Sequence, residues 1–180
     1  RCNITNTAPL SEYFSRIQPR GKFLKHTFSS FFSDDIVEFL EKEGVPTVEE
    51  RGGRVFPKSN SAKDVLQALL NHATRQGVTV WYNSSVSALH QEDGQIKGVR
   101  YIKSGEEYYL TARSVILATG GKSYPATGSE GDGYTLARST GHTISDVRPA
   151  LVPLEIKGDV TKRLQGLTLK NVKAVVWVNG

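Results

Sequence analysis

A four-residue apolar run, Val115-Ile116-Leu117-Ala118, leads straight into Thr119-Gly120-Gly121. The run is too short for a helix and lacks polar alternation, so it predicts a strand covered on both faces, as inside a largely parallel sheet. In open α/β sheets ligands bind beyond the carboxyl ends of the strands, where glycines let a cofactor lie against bare backbone. Gly120 and Gly121 meet that need. Gly131-Asp132-Gly133-Tyr134 then opens a helix, with Asp132 expected as its cap, Leu136 and Ala137 within it and Gly141 as its stop. Taken alone, the glycine pair is also what an ordinary strand-to-helix turn requires.

The same punctuation recurs upstream. Ser33 is expected to cap a helix whose first turn carries Asp34 and Asp35 and whose apolar side holds Ile36, Val37, Phe39 and Leu40. Gly44 supplies its left-handed stop and Pro46 prevents resumption. A hairpin is expected from Thr47 to Phe56 around Arg51-Gly52-Gly53-Arg54. Ser61-Ala62-Lys63-Asp64 resembles a capping box and predicts a second helix with Val65, Leu66, Leu69, Leu70 and Ala73 buried. Gly77 ends it, and Val78 to Tyr82 has the β-branched and aromatic content of a strand. Val86 to His90, Gln95 to Ile102 and Glu107 to Thr111 alternate with turn signals and predict a three-stranded antiparallel meander.

From Leu151 the pattern changes. Pro149 and Pro153 bracket an apolar segment, and Leu167 to Val178 is valine-rich. Residues 1–150 therefore read as part of one α/β domain and 151–180 as the beginning of a β-rich second one. At 38% hydrophobic and 23% charged residues the composition is that of a globular protein, which excludes disordered and collagen-like classes. No apolar run approaches a bilayer span, and the lone Cys2 cannot form an internal disulfide, so a cytoplasmic location and no membrane partner are expected. The formal charge of +5 raises the question of nucleic acid. Its densest source, Arg16 to His26, reads as a solvated helix face, and no nucleic-acid partner is expected.

Four motifs in order carry a family resemblance: Arg1-Cys2-Asn3-Ile4-Thr5-Asn6, Gly53-Arg54-Val55-Phe56-Pro57, Lys122-Ser123-Tyr124-Pro125-Ala126-Thr127-Gly128-Ser129, and Pro149-Ala150-Leu151-Val152-Pro153-Leu154. Across essentially the whole chain the sequence is similar to the YhiN/BaiN-like (HI0933-like) bacterial flavoproteins, NAD(P)/FAD-dependent oxidoreductases. The resemblance implies part of a glutathione-reductase-like FAD-binding Rossmann domain that carries the meander, followed by the start of an inserted domain. It implies that Arg1, Cys2, Asn3, Thr5 and Asn6 lie against the flavin or its pyrophosphate. It further implies that Val86 presents its backbone to the adenine and that Ala118, Thr119, Gly120 and Gly121 line the cofactor further along.

The family's initial G-x-G-x-x-G segment is not in this sequence, so the chain reads as an internal piece that is inactive by itself. The expected activity of the parent is hydride transfer between FAD and a small organic substrate, with NAD(P)H as the possible co-substrate; the alternative is a non-catalytic nucleotide-binding or regulatory module. Arg54, as an anion clamp, and Tyr124, as a phenol, are the candidate substrate-side groups. His26, His72, His90 and His142 show no metal spacing, so no metal is assigned, and His72 and His90 are expected to be exposed.

Overall fold

The computed structural model describes residues 2–17, 21–149 and 157–167 and positions 173, 175 and 177. These divide into two compact units, one formed by the described residues up to Val80 with positions 173, 175 and 177, and one by the described residues of Trp81–Leu167, each considered by itself. The first holds β1 (Thr5–Asn6), α1 (Leu10–Arg16), a 3₁₀ turn (Gly21–Leu24), α2 (Lys25–Ser30), α3 (Ser33–Lys42), β2 (Thr47–Glu50), β3 (Arg54–Pro57) and α4 (Ala62–Arg75). The second holds β4 (Ser85–Glu92), β5 (Gln95–Lys103), β6 (Glu106–Thr111), a 3₁₀ turn at Pro125–Thr127, α5 (Asp132–Ser139) and α6 (Val160–Arg163). The result is the expected mixed α/β fragment. The expected domain change at Leu151 and most of the strand from Leu167 to Val178 fall outside the described residues.

All three glycine stops act as the sequence predicts. Gly44, Gly77 and Gly141 adopt φ of +83°, +77° and +91°, a region that favours glycine because it has no Cβ. At the end of α3, Val45 N–H reaches back to Leu40 C=O at 2.9 Å and Gly44 N–H to Glu41 C=O at 3.0 Å. The same bond pair closes α4, through Val78 and Gly77, and α5, through His142 and Gly141. At α3 the reversal also has an apolar lock, since Val45 and Leu40 share the buried cluster with Val65 and Ala68 of α4.

The helix starts depart from expectation. Ser33 lies inside α3 with its Oγ buried and without a partner, while Asp35 caps the helix by accepting the Phe32 N–H at 2.6 Å. Ser61 precedes α4 but makes no side-chain cap bond, and its N–H, which a capping box would give to Asp64, goes instead to Ser59 Oγ at 3.3 Å. Gly131, at φ +91°, precedes α5, and Asp132 sits in the first turn instead of at the cap. The buried stripe of α4 is also rotated. Val65 and Ala68 are buried, with His72 half-buried beside them, while Leu66 and Leu69 are exposed.

Sheet pairing follows turn chemistry. In the first unit the order is β1-β3-β2, all antiparallel, with Arg51-Gly52-Gly53 turning the hairpin. In the second the predicted meander forms as β4-β5-β6. Its turns place Asp93 and Gly94 at φ of +49° and +74° and Ser104 and Gly105 at +54° and +85°, the doubly positive geometry that matches strand twist. Tyr101 and Tyr108 face each other across β5 and β6 with ring centroids 5.5 Å apart.

The strands expected at Val78–Tyr82 and Val115–Ala118 do not form. Both segments are irregular, and Ile116 is 89% exposed. β-branched content describes a residue that fits a pleated surface, but a strand exists only when a neighbour takes its N–H and C=O groups, and neither segment has one among the described residues. Arg16 to His26 is likewise not one helix, since α1 ends at Arg16 and the chain resumes as the 3₁₀ turn at Gly21.

His72 and His90 are both half-buried, against expectation. His90 Nε2 lies 2.9 Å from Glu92 Oε1 and its ring meets Tyr109 edge-on. His72 Nδ1 donates to Glu43 Oε1 at 2.8 Å, its ring packs edge-on against Phe39, and Arg75 closes on the other Glu43 oxygen. This triad ties the end of α3 to the end of α4. The Arg75 guanidinium and, after it, the His72 ring hold the Glu43 carboxyl below the ordinary carboxylate range. Because the folded value is the lower one, the resulting stability is fully present above the unfolded pKa and is lost as pH falls through the folded pKa. Glu43→Gln is therefore expected to lower Tm at neutral pH, with the gap to the parent protein closing in acid; a gap independent of pH would contradict the triad's role.

Candidate functional site

The first unit brings two distant sequence motifs side by side. Thr5 pairs with Val55 and Asn6 with Arg54, so the Cys2–Asn6 segment runs antiparallel to the Gly53–Pro57 segment. Cys2 and Ile4 pack against the Leu40, Val45, Val65 and Ala68 cluster. This gives Cys2 a packing role, consistent with its lack of a disulfide partner. Asn3 is exposed, as alternation along an extended segment requires. Arg1 lies outside the described residues.

Asn6 is the latch of this unit. Its amide nitrogen donates to Gly52 C=O at 2.7 Å, its amide oxygen accepts the Ala8 N–H at 2.9 Å, and its own carbonyl accepts the Tyr13 hydroxyl at 3.0 Å. One residue thereby joins the hairpin turn, the loop after β1 and α1. Gly53 is required beneath it: φ is +72°, and a Cβ there would lie 2.8 Å from Thr7 Oγ1 and 3.0 Å from Asn6 Oδ1.

These contacts frame an open cavity of about 630 Å³ whose walls include Asn6, Thr7, Tyr13, Arg16, Glu49 and Gly53. Its size is in the range of small-molecule and cofactor sites. Glu12 and Arg16, one helical turn apart, pair along its rim. The α1 wall was not anticipated from the sequence; the available signal was Pro9 followed by an acid, Glu12, in a first helical turn. Arg54 is committed to the fold. Its Nε donates to Arg51 C=O at 3.2 Å, its guanidinium stands over the Phe56 ring at 5.7 Å, and Glu50 lies 3.9 Å away.

The second unit holds the remaining candidates. Val86 lies near the start of β4, opposite Tyr101, next to an irregularity that shifts the register before Ala88. Ala118 to Gly121 form an irregular loop, exposed up to Gly120 and half-buried at Gly121, whose Thr119 rests on the first turn of α5, where a Cβ on Gly133 would meet Thr119 Oγ1 at 2.4 Å. Gly133, the second glycine of Gly131-Asp132-Gly133-Tyr134, is thus a close-approach residue. Gly120 has φ of +78°, and a Cβ on Gly121 would come no nearer than 3.7 Å to the Tyr134 hydroxyl. The loop therefore presents bare backbone beside a helix N-terminus, a setting suited to an anionic group. Tyr124 is 70% exposed, where the chain folds back to bridge Ser129.

Two substitutions test these contacts. Gly53→Ala is expected to destabilise the first unit by about 1–3 kcal/mol in urea unfolding, through overpacking onto Asn6 and Thr7 and the unfavourable φ. Gly133→Ala should lose a comparable amount, and adding Thr119→Ala should recover much of it because the clashing hydroxyl is gone. Additive losses in that double-mutant cycle would show that the two positions do not touch.

Comparison with known proteins accords with this geometry. Residues 1–176 match the model of the HI0933-like protein Rossmann domain. A 3-dehydro-bile acid delta(4,6)-reductase of Clostridium scindens is 38% identical over 87% of this chain and 36% of its own length. A ribosomal RNA dihydrouridine synthase of Escherichia coli is 27% identical over 98% of this chain and 42% of its own. The chain thus spans well under half of these relatives. Mycobacterium smegmatis Sdh1 in complex with UQ1 matches with a TM-score of 0.52 at 20% identity, over 74% of this chain and 29% of that one, a likeness of fold alone. By the extent of the family match, the chain belongs to the HI0933-like Rossmann-domain family.

Proposed function

We propose that the protein carrying this chain is an FAD-dependent oxidoreductase that reduces a carbon–carbon double bond conjugated to a carbonyl. The observation that carries this reading is the 38% identity to a relative named for delta(4,6) reduction of a 3-dehydro bile acid. The second relative, named for making dihydrouridine, performs the same kind of chemistry on a different ring. In both names a double bond in conjugation with a carbonyl is saturated.

Each unit by itself offers groups suited to part of a flavin dinucleotide. Thr119, Gly120 and Gly121 offer backbone and a hydroxyl beside the α5 N-terminus, the kind of donor set that receives a pyrophosphate or ribityl oxygen. Asn3 and Thr5, on the segment beside the cavity, offer an amide and a hydroxyl to ring or phosphate oxygens, and Val86 can offer main-chain groups to an adenine edge. A bound FAD would supply hydride-transfer chemistry for saturating such a double bond, with NAD(P)H as the expected source of its electrons. This chain's part is to hold and orient. Asn6 keeps the hairpin turn and α1 at fixed separation, so the cavity between them is preorganised around whatever ring it receives. The Glu12–Arg16 pair gives its rim a polar edge, and Tyr13 anchors the wall through the Asn6 carbonyl.

The test uses a protein of the relatives' full length that contains this chain. As purified it should be yellow, bleach with NADH or NADPH in the absence of oxygen, and regain its colour on addition of a 3-oxo-4,6-diene steroid but not of the saturated ketone. A colourless protein would favour a non-catalytic nucleotide-binding module. A flavin reoxidised equally by saturated and unsaturated ketones would overturn the proposed substrate class.

A further inference from the structure

The wall of the cavity beside α1 carries two carboxylates, Glu12 and Glu49, against one guanidinium, Arg16. Arg16 is closed on Glu12 along the rim. The Tyr13 phenol is also taken, since it donates to the Asn6 carbonyl. Glu49 is different. It is exposed, and its carboxylate makes no hydrogen bond or ion pair among the described residues. The wall therefore holds one uncompensated negative charge, and its only cation is already spent.

The strand register explains why that charge is held in place. Glu49 of β2 pairs with Val55 of β3, and Val55 pairs on its other side with Thr5 of β1. Directly opposite residues share a face of a sheet, so Thr5, Val55 and Glu49 form one cross-strand row with the buried Val55 in the middle. Two strand spacings separate its ends by about 10 Å. Thr5 stands on the side proposed for the flavin, so Glu49 meets the part of a ligand remote from the reacting atoms. A carboxylate on an edge strand is by itself an ordinary solubilising device. On the wall of a cleft the same charge acts on whatever enters, because the low-dielectric walls focus its field into the opening.

We propose that Glu49 is a specificity-determining residue, which favours enone substrates whose remote end is cationic and disfavours those whose remote end is a carboxylate. The proposal rests on the reading of the cavity as the site of a conjugated carbonyl ring. It separates the substrate of this protein from that of the relative named for an acid.

The experiment uses the full-length, FAD-loaded protein and three 3-oxo-4,6-diene steroids that differ only at the end of the side chain: trimethylammonium, hydroxyl or carboxylate. Calorimetric titration of the oxidised protein gives the three Kd values, and reduction of each compound is followed in parallel. The ammonium compound should bind tightest and the carboxylate weakest. Their ratio should be about fivefold at low salt, the upper range for a single solvent-open ion pair, and should shrink toward one in about 0.5 M sodium chloride. That salt series needs no variant. Glu49→Gln should bring the ratio close to one and Glu49→Lys should invert it, an outcome that loss of a merely structural residue does not produce. Asp64→Asn makes the same charge change at an exposed position of α4 that is not on the cavity wall, and should keep the parental ratio. Equal affinities, tighter binding of the carboxylate, or a ratio that moves as much in Asp64→Asn as in Glu49→Gln would overturn the proposal. Equal affinities with reduction intact would leave the proposed function standing, whereas the expected order of affinities without reduction would overturn that function and leave the charge selection. Failure to bind any of the three would overturn both.

Discussion

The contact of Cys2 and Ile4 with the cluster of Leu40, Val45, Val65 and Ala68 is the constraint on which the first unit depends. β1 is only two residues long, too short to hold its place by ladder bonds alone. Seating its preceding residues on the α3–α4 core fixes its register against β3, and the register in turn brings Asn6 over the Gly52-Gly53 turn. Everything at the cavity follows from that placement. The core is small, and its geometry is kept by the directional reversal at Gly44, which folds Val45 back onto Leu40.

Polar ties then stiffen what the small core leaves soft. Glu43 sits where α3 ends and gathers His72 and Arg75 from the last turn of α4, so the two helices are joined at the same end by charge-assisted bonds. Asn6 does comparable work between the hairpin and α1 with neutral bonds. In the second unit the meander is held by turn geometry and by cross-strand aromatic pairs. Gly98 allows the closest approach, since a Cβ there would lie 2.2 Å from Leu110 C=O. The Thr119–Gly133 contact is its counterpart at the candidate cofactor loop. In both places absence of a side chain is the functional property.

Family membership and the proposed redox chemistry rest on different observations. The first follows from a match over residues 1–176. The second draws on relatives that are more than twice as long as this chain, and on residues divided between two units. The cavity beside α1 and the loop before α5 supply chemically suitable groups in each unit separately.

Local signals were legible where the structure is decided locally. The glycine stops, the hairpin and the meander were all written in positions where a positive φ admits glycine or a tight turn, and the sequence by itself determined them. So was the family, through four motifs of which the fold pairs the first two, Cys2–Asn6 and Gly53–Pro57. Tertiary structure alone decided which apolar residues are covered: Leu66 and Leu69 have the right spacing but face outward, and Val115 to Ala118 has strand composition without a neighbour among the described residues. It also decided the caps: the Phe32 N–H goes to Asp35, and the Ser61 N–H that a capping box would give to Asp64 goes to Ser59 Oγ. The physical reason is common to these cases. Backbone preference belongs to a residue and its immediate neighbours, whereas burial, pairing and hydrogen-bond competition belong to whatever the rest of the chain brings alongside.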